Sequence, residues 1–404
     1  MLIVLALAGC LLSPAPTPRA VTERTAELAP IVDGNNAFAL DLYGWSADHG
    51  EGNLFLSPFS VTAALGMTRA GAAGDTAAAM DQVLHITQDP AVYHQQLGAL
   101  TRDLSGDLNR GYTLFIANGL FGQTGLPFDA DFLSIQAEDY GAPLQALDFQ
   151  GDPDGARGEI NRWVEDQTDG GVSELLPAGS VNDQTRIALA NAVRFEAEWV
   201  SRFRSSETYD GGFVTPTGEV TVPLMRAEEV PCLLGERAGV QVLSLPYRGD
   251  EVSLIALLPG GGYSDEEPAI PDLFALEAAL DLPTLDGWLG SLSPTETTVV
   301  MPRFTISYTL PLTQALTDLG MGVAFSASAD LTAMGPPDLF LQDAFHQATV
   351  QVDEAGTEAT GSTAVLGGQK GDVEGFYATR PFLFLIRDNL TGTILFVGRV
   401  VDPS

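Results

Sequence analysis

Side chains able to do chemistry are few and scattered in this sequence. Its four histidines, His49, His85, His94 and His346, stand in no Gly-x-Ser-x-Gly elbow and no His-Glu-x-x-His helix, and its two cysteines, Cys10 and Cys232, form no paired motif. The sequence therefore lacks the usual nucleophile–base and metal-ligand constellations and implies no metal or other cofactor. Carboxylates abound, at 53 of 404 residues, so any two can meet by chance and no glycosidase-like pair can be singled out. One residue stands apart. Lys370 is the only lysine, against eighteen arginines, and the only base between Glu354 and Thr379. It sits in Gly367-Gly368-Gln369-Lys370-Gly371, a flexible setting from which a lone cation can reach into another protein's cleft.

The stretch ahead of Lys370 has the pattern of a strand without the means to bury itself. Thr357, Ala359, Gly361, Thr363 and Val365 alternate with Glu358, Thr360, Ser362 and Ala364, which sets small residues on one face and the polar Glu on the other. Gly356 and Gly367-Gly368 flank it, Gly361 interrupts it, and its side chains offer little apolar area. As an isolated loop it gains almost nothing by ordering, yet inside a sheet it can be a strand.

The elements that must position such a segment follow from composition and periodicity. With 45% apolar and 18% charged residues the chain can bury a large core, and no linker-like stretch divides it after about residue 30, so one domain spans 31–404. Ahead of it, residues 1–9 read as a signal peptide ending in Leu7-Ala8-Gly9-Cys10, and the Pro-rich residues 10–30 read as a tether. This resembles a bacterial lipoprotein signal with Cys10 as the lipidated residue, although no Lys or Arg precedes Arg19. It implies an extracytoplasmic protein held at the cell envelope, at the outer membrane by the weaker signal of Leu11. No other run reaches the ~18 apolar residues of a membrane span. The net charge of −34 and a pI near 4.1 exclude a nucleic-acid surface and favour a soluble monomer. Helix periodicity marks Asn35 to Trp45, Pro58 to Arg69 behind a Ser57 cap, and the turn around Ile160, Trp163 and Val164, stopped by Asp169-Gly170-Gly171. Strand runs follow at 112–120, 187–195, 241–245, 252–258, 297–306, 349–353, 382–387 and 394–401. Helices first and strands later predict an α+β fold with large mixed sheets.

Near the C-terminus stand Val352-Asp353-Glu354-Ala355-Gly356-Thr357-Glu358-Ala359 and Arg380-Pro381-Phe382-Leu383-Phe384-Leu385-Ile386-Arg387-Asp388. They closely resemble the hinge and the C-terminal signature of the serpin family. Further matches run backward in the right order to about residue 31. They are Asn53-Leu54-Phe55-Leu56-Ser57-Pro58-Phe59-Ser60, Gly71-Ala72-Ala73-Gly74-Asp75-Thr76, Asn161-Arg162-Trp163-Val164, Asn191-Ala192-Val193-Arg194-Phe195, Met301-Pro302-Arg303-Phe304 and Leu319-Gly320-Met321. At Phe195-Glu196-Ala197-Glu198-Trp199 many relatives have Lys and Gly in place of Glu196 and Ala197, which leaves the local turn geometry open.

The resemblance implies three β-sheets, eight or nine helices and an exposed reactive-centre loop, here about residues 354–379. It also implies a suicide inhibitor, not an enzyme. A target serine protease attacks the loop and forms a covalent acyl complex, and the cut segment then inserts into the main sheet through the hinge Glu354, Gly356, Thr357, Glu358, Ala359, Thr360 and Gly361. Inserting about 14 residues at ~3.3 Å each would drag the protease ~45 Å. Ten or more new ladder hydrogen bonds at ~1 kcal/mol each outweigh the ~3 to 4 kcal/mol supplied by an oxyanion donor. Family roles carry over to Ser57, Ser60, Asn191 and His346 as the cluster beneath the sheet opening, and to Trp199, Arg303 and Glu354 as the group where insertion begins. The family's spacing of seventeen residues from the hinge glutamate ends at Lys370, which also lies 11 residues before Pro381, so the reactive bond is Lys370–Gly371 and the partner a trypsin-like protease. Leu366 and Gln369 remain alternative cleavage positions, and a non-inhibitory serpin acting as a binding or structural protein remains the alternative function. Residues 76–100 contain no Lys or Arg, so no heparin cofactor is expected.

Overall fold

A computed structural model describes residues 26–105, 111–168, 170, 172, 174–260, 272–337, 339–341, 344–357 and 375–404. The first third is helical: α1 (Ala29–His49), β1 (Leu54–Leu56), α2 (Pro58–Arg69), α3 (Gly74–Val83) and α4 (Pro90–Leu104). Strands then alternate with helices through β2 (Tyr112–Gln123), α5 (Ala130–Glu138), β3 (Gln145–Leu147), α6 (Pro153–Gln167) and β4 (Ile187–Glu198). A run of strands follows, β5 (Tyr209–Thr215), β6 (Gly218–Arg237), β7 (Val240–Pro246) and β8 (Val252–Pro259), before the short helices α7 (Leu273–Ala278) and α8 (Leu282–Leu289). The last quarter holds β9 (Ser293–Pro302), β10 (Phe304–Pro311), α9 (Leu312–Leu316), β11 (Phe345–Val352), β12 (Gly356–Thr357), β13 (Gly375–Tyr377), β14 (Phe382–Asp388) and β15 (Ile394–Val400).

Local chemistry sets these boundaries. Ser57 caps α2 with its hydroxyl on the Ser60 N–H and Pro58 opens the helix. Part of the acidic surplus serves the same end, since Asp89, Asp129, Asp152, Asp272 and Asp281 accept backbone N–H groups at the starts of α4, α5, α6, α7 and α8. The apolar runs at 252–259, 382–388 and 394–400 are buried at every position, as expected of strands covered on both faces.

The strands form two ladders among the described residues. One has six strands in the order β10-β11-β12-β4-β2-β3, and the other nine, β1-β15-β14-β8-β7-β6-β9-β13, with β5 paired to β6. The family's pattern of three sheets is met with two of them fused, because the 20-residue β6 serves both. It pairs with β5 along its first half and with β7 along its second, and it bends at a bulge between Ala227 and Val230 where Glu229 has φ 52°. The run read as one strand over 297–306 is two. It breaks at Arg303, whose N–H turns to the Pro223 carbonyl. The sheets face each other across a core rich in aromatic rings, including Phe55, Phe195, Phe304, Phe384 and Phe396.

Candidate functional site

The hinge is already part of the six-stranded sheet. After β11 the chain reverses through Asp353, whose side chain accepts the N–H groups of Ala355 and Gly356 while its own N–H bonds the Gly356 carbonyl. Gly356 and Thr357 then lie between β11 and β4, antiparallel to both, with Thr357 opposite Val352 and Ala197 and Gly356 opposite Glu198. Glycine is required at 356, since a Cβ there would overlap the Ala197 carbonyl oxygen. Thr357 is 2% exposed, and its hydroxyl is 2.7 Å from the Tyr247 hydroxyl. Within the segment expected to form the loop, Glu354 lies in the reversal before β12, and Gly356 and Thr357 are paired in the sheet. Glu358, Ala359, Thr360, Gly361, Lys370 and Gly371 lie outside the described residues, as does Cys10.

Trp199, Arg303 and Glu354 meet at this point. The Trp199 indole N–H donates to the Asp353 carbonyl and its backbone N–H to the Ala355 carbonyl, each at 2.9 Å, and the ring stacks on Tyr247 at 4.5 Å. Glu354, nearly buried, receives the Arg303 guanidinium and the Thr208 hydroxyl. Burial pushes its carboxyl up, and those two donors outweigh burial and hold it below the usual carboxylate range. Burial raises the neighbouring Asp353 carboxyl. The turn left open at Glu196-Ala197 is absent. The segment continues β4 to Glu198, where Glu196 pairs with Arg194 and Glu198 with Arg202 and Arg248.

Below the hinge, α2 holds β4 and β11 by separate polar ties. His346 of β11 accepts the Ser57 N–H at Nε2 (2.9 Å), and the Ser57 hydroxyl donates to the Leu395 carbonyl. Asn191 of β4 accepts the Ser60 hydroxyl (2.8 Å) and returns an N–H to the Ser60 carbonyl. The structure thus brings Ser57, Ser60, Asn191 and His346 together, and adds Asn118 of β2, whose side-chain oxygen accepts from Asn191 at 2.8 Å. Adding a strand widens a sheet by about 4.8 Å. At least one of the two strands must then slide over α2 and break its tie.

Burial drives the His346 imidazole down from 6.5 to about 4, and burial with the Arg69 charge does the same to His94. Both rings are neutral in the fold, while the unfolded chain takes up protons first. The stability they carry is complete above about pH 6.5 and falls away toward pH 4, by on the order of 3 kcal/mol for each group. Urea midpoints are therefore expected to drop across that window, and His346→Gln should shrink the drop. A profile unchanged by that substitution would contradict a buried neutral His346.

Gly356 and Thr357 thus form a two-residue strand between β11 and β4, each of which is tied to the start of α2 by polar side chains. The other end of the loop is fixed elsewhere, since β13 runs parallel to β9 in the nine-stranded sheet. Tyr247 and Asn118 escaped the sequence reading. An asparagine inside an apolar strand run is the signal that marks Asn118, whereas nothing local marks Tyr247.

The leukocyte elastase inhibitor of Bos taurus is 36% identical over 377 residues, covering 91% of this chain and 98% of that protein. An uncharacterised serpin-like protein of Thermococcus kodakarensis is 33% identical over 395 residues, 96% of this chain and 89% of its own length. Human thyroxine-binding globulin, solved with its ligand bound, superposes with a TM-score of 0.81 at 28% identity, covering 94% of this chain and 100% of that one. The model of the family described as Serpin (serine protease inhibitor) matches residues 33–403, so that motifs, hinge, sheet order and relatives converge, and the chain belongs to the serpin family.

Proposed function

We propose that this serpin is a suicide inhibitor of trypsin-like serine proteases, cut after Lys370 and consumed without turnover of its own. The observation that carries the reading is β12: a glycine and a small buried threonine already occupy the place where an inserted strand begins. A first rung in place lowers the nucleation cost of adding the rest, which must outrun deacylation of the protease. The bait follows from Lys370 as the only lysine and from its spacing to Glu354 and Pro381. The leukocyte elastase inhibitor among the relatives is an inhibitor by name. The test is incubation with trypsin. A band that resists SDS and a new N-terminus beginning Gly371-Asp372-Val373 are expected. Quantitative cleavage with no such band would favour the binding-protein reading, as in the globulin that shares the fold.

The proposal extends to location. Cys10 is taken as the lipidated residue of a bacterial envelope protein, tethered by the Pro-rich segment that follows. Cys10→Ser should move the protein out of the membrane fraction or leave an uncleaved precursor, and unchanged partitioning would remove the anchor.

A further inference from the structure

The register of β12 fixes what the next rung of an added strand meets. Gly356 lies opposite Glu198 and Thr357 opposite Ala197 on β4, while Thr357 faces Val352 on β11. One rung further, the same antiparallel ladders set the next residue of the chain, Glu358, opposite Glu196 on one side and Gln351 on the other. Thr357 shares the buried face with Ala197 and Val352, so alternation puts Glu358 on the outer face with Arg194, Glu196 and Glu198. Carboxylates directly opposed on one face of a sheet repel. Most groups around them offer no relief. Glu198 already takes Arg202 and Arg248, the β2 partners of Glu196 and Arg194 are Thr113 and Phe115, and Gln351 is uncharged. Arg194 is the cation at this height of β4, and in the resting fold it pairs with Glu196 and donates to the Thr168 carbonyl at the end of α6 at 3.3 Å. We propose that Glu196 is the brake on strand insertion in this chain, and that Arg194 releases it by exchanging Glu196 for Glu358.

This rests on the trap mechanism proposed above and names the residues that pace it. Arg194 is two residues along β4 from Glu196, so Glu358 arrives diagonal to it, a distance of roughly 7 to 8 Å that a long side chain spans. One guanidinium then serves two carboxylates, and a balanced pair becomes a trio with one negative charge in excess. The Arg194 and Glu196 side chains are only 20% and 34% exposed, where salt and water screen less than at an open surface. The rung concerned follows directly on the two residues already paired. A cost met before the remaining rungs form appears in the insertion rate. Removing the charge of Glu196 ends the repulsion and hands Arg194 to Glu358. Removing the charge of Glu358 ends a repulsion and an attraction together, so it changes little.

The test is a double-mutant cycle between Glu196→Gln and Glu358→Gln on the full chain, read as guanidinium midpoints after a cut in the loop. Glu196→Gln should raise the midpoint of the cut form, and the gain should vanish in the Glu358→Gln background. In the reaction with trypsin, Arg194→Gln should raise the inhibitor consumed per protease by about fivefold, and adding Glu196→Gln should restore it. A mere loosening of α6 from β4 would not be rescued in that way. Both effects should shrink between about 0.1 M and 1 M salt, as the screening length falls from ~10 Å to ~3 Å. A gain from Glu196→Gln that is the same with and without Glu358→Gln, or an Arg194→Gln defect that Glu196→Gln leaves in place, overturns the proposal. A parent chain that gains no stability when its loop is cut refutes insertion and the trap reading with it. A parent that gains stability without the coupling refutes this assignment alone.

Discussion

Thr357→Arg is expected to turn the inhibitor into a substrate, with the target still cutting the loop while the trapped complex disappears. In the resting fold Thr357 is almost wholly buried, bonded to Tyr247 and flanked by Ala197 and Val352. An arginine here expels this first rung from the resting sheet, and insertion must then carry its guanidinium back beside the stacked rings of Trp199 and Tyr247. Burying an unpaired charge costs several kcal/mol even after relaxation. At ~1.4 kcal/mol per decade, insertion slows by about a hundredfold or more while hydrolysis of the acyl bond is untouched. The moles of inhibitor consumed per mole of protease should rise from near one to tens. Thr357→Val keeps the shape and loses only the hydroxyl bond, so its partition should stay within about tenfold of the parent. Near-unit stoichiometry in the arginine variant would sink the insertion mechanism. A valine variant as poor as the arginine one would shift control from the charge to the Tyr247 bond.

Lys370→Leu is expected to lose trypsin and gain chymotrypsin. A pocket with a buried carboxylate built to pair with a cation rejects an apolar side chain that leaves it unpaired, by about 10⁴-fold. Chymotrypsin has an apolar slot in the same place and accepts leucine. The spring is unaltered, so the exchange should appear in the association rate with each enzyme and not in the stoichiometry. If the leucine variant still traps trypsin at the parental rate, or the new N-terminus maps beyond another bond such as that after Leu366 or Gln369, the assignment of Lys370 is wrong and the serpin fold stands regardless.

How far the fold was legible depended on how local its causes are. The runs at 252–258, 382–387 and 394–401 were readable because strands covered on both faces must be apolar throughout. β6 was not. It contains Pro223 and Pro231 and uses the bulge between Ala227 and Val230 to pass from one set of partners to another, which only the tertiary pairing sets. The hinge residues were legible through their resemblance and through small-residue alternation. Their resting position was not, since it depends on Tyr247, 110 residues away in the chain, and on the Trp199 ring. The cluster under the sheet was recognised as four residues. Its fifth member, Asn118, belongs by virtue of the β2–β4 register, which periodicity alone does not set.

The position of the last two strands bears on how the molecule is made. β15 and β14 stand second and third from one edge of the nine-stranded sheet, between β1 and β8, and β1, near the start of the domain, pairs with β15 alone. Ser57 and Leu395, bonded to each other, are 338 residues apart. At about 5 to 20 residues per second, the N-terminal helices wait on the order of tens of seconds on the ribosome for the strands that complete their core. The nascent chain therefore cannot complete this sheet during synthesis, and a truncation that removes β14 and β15 separates β1 from β8.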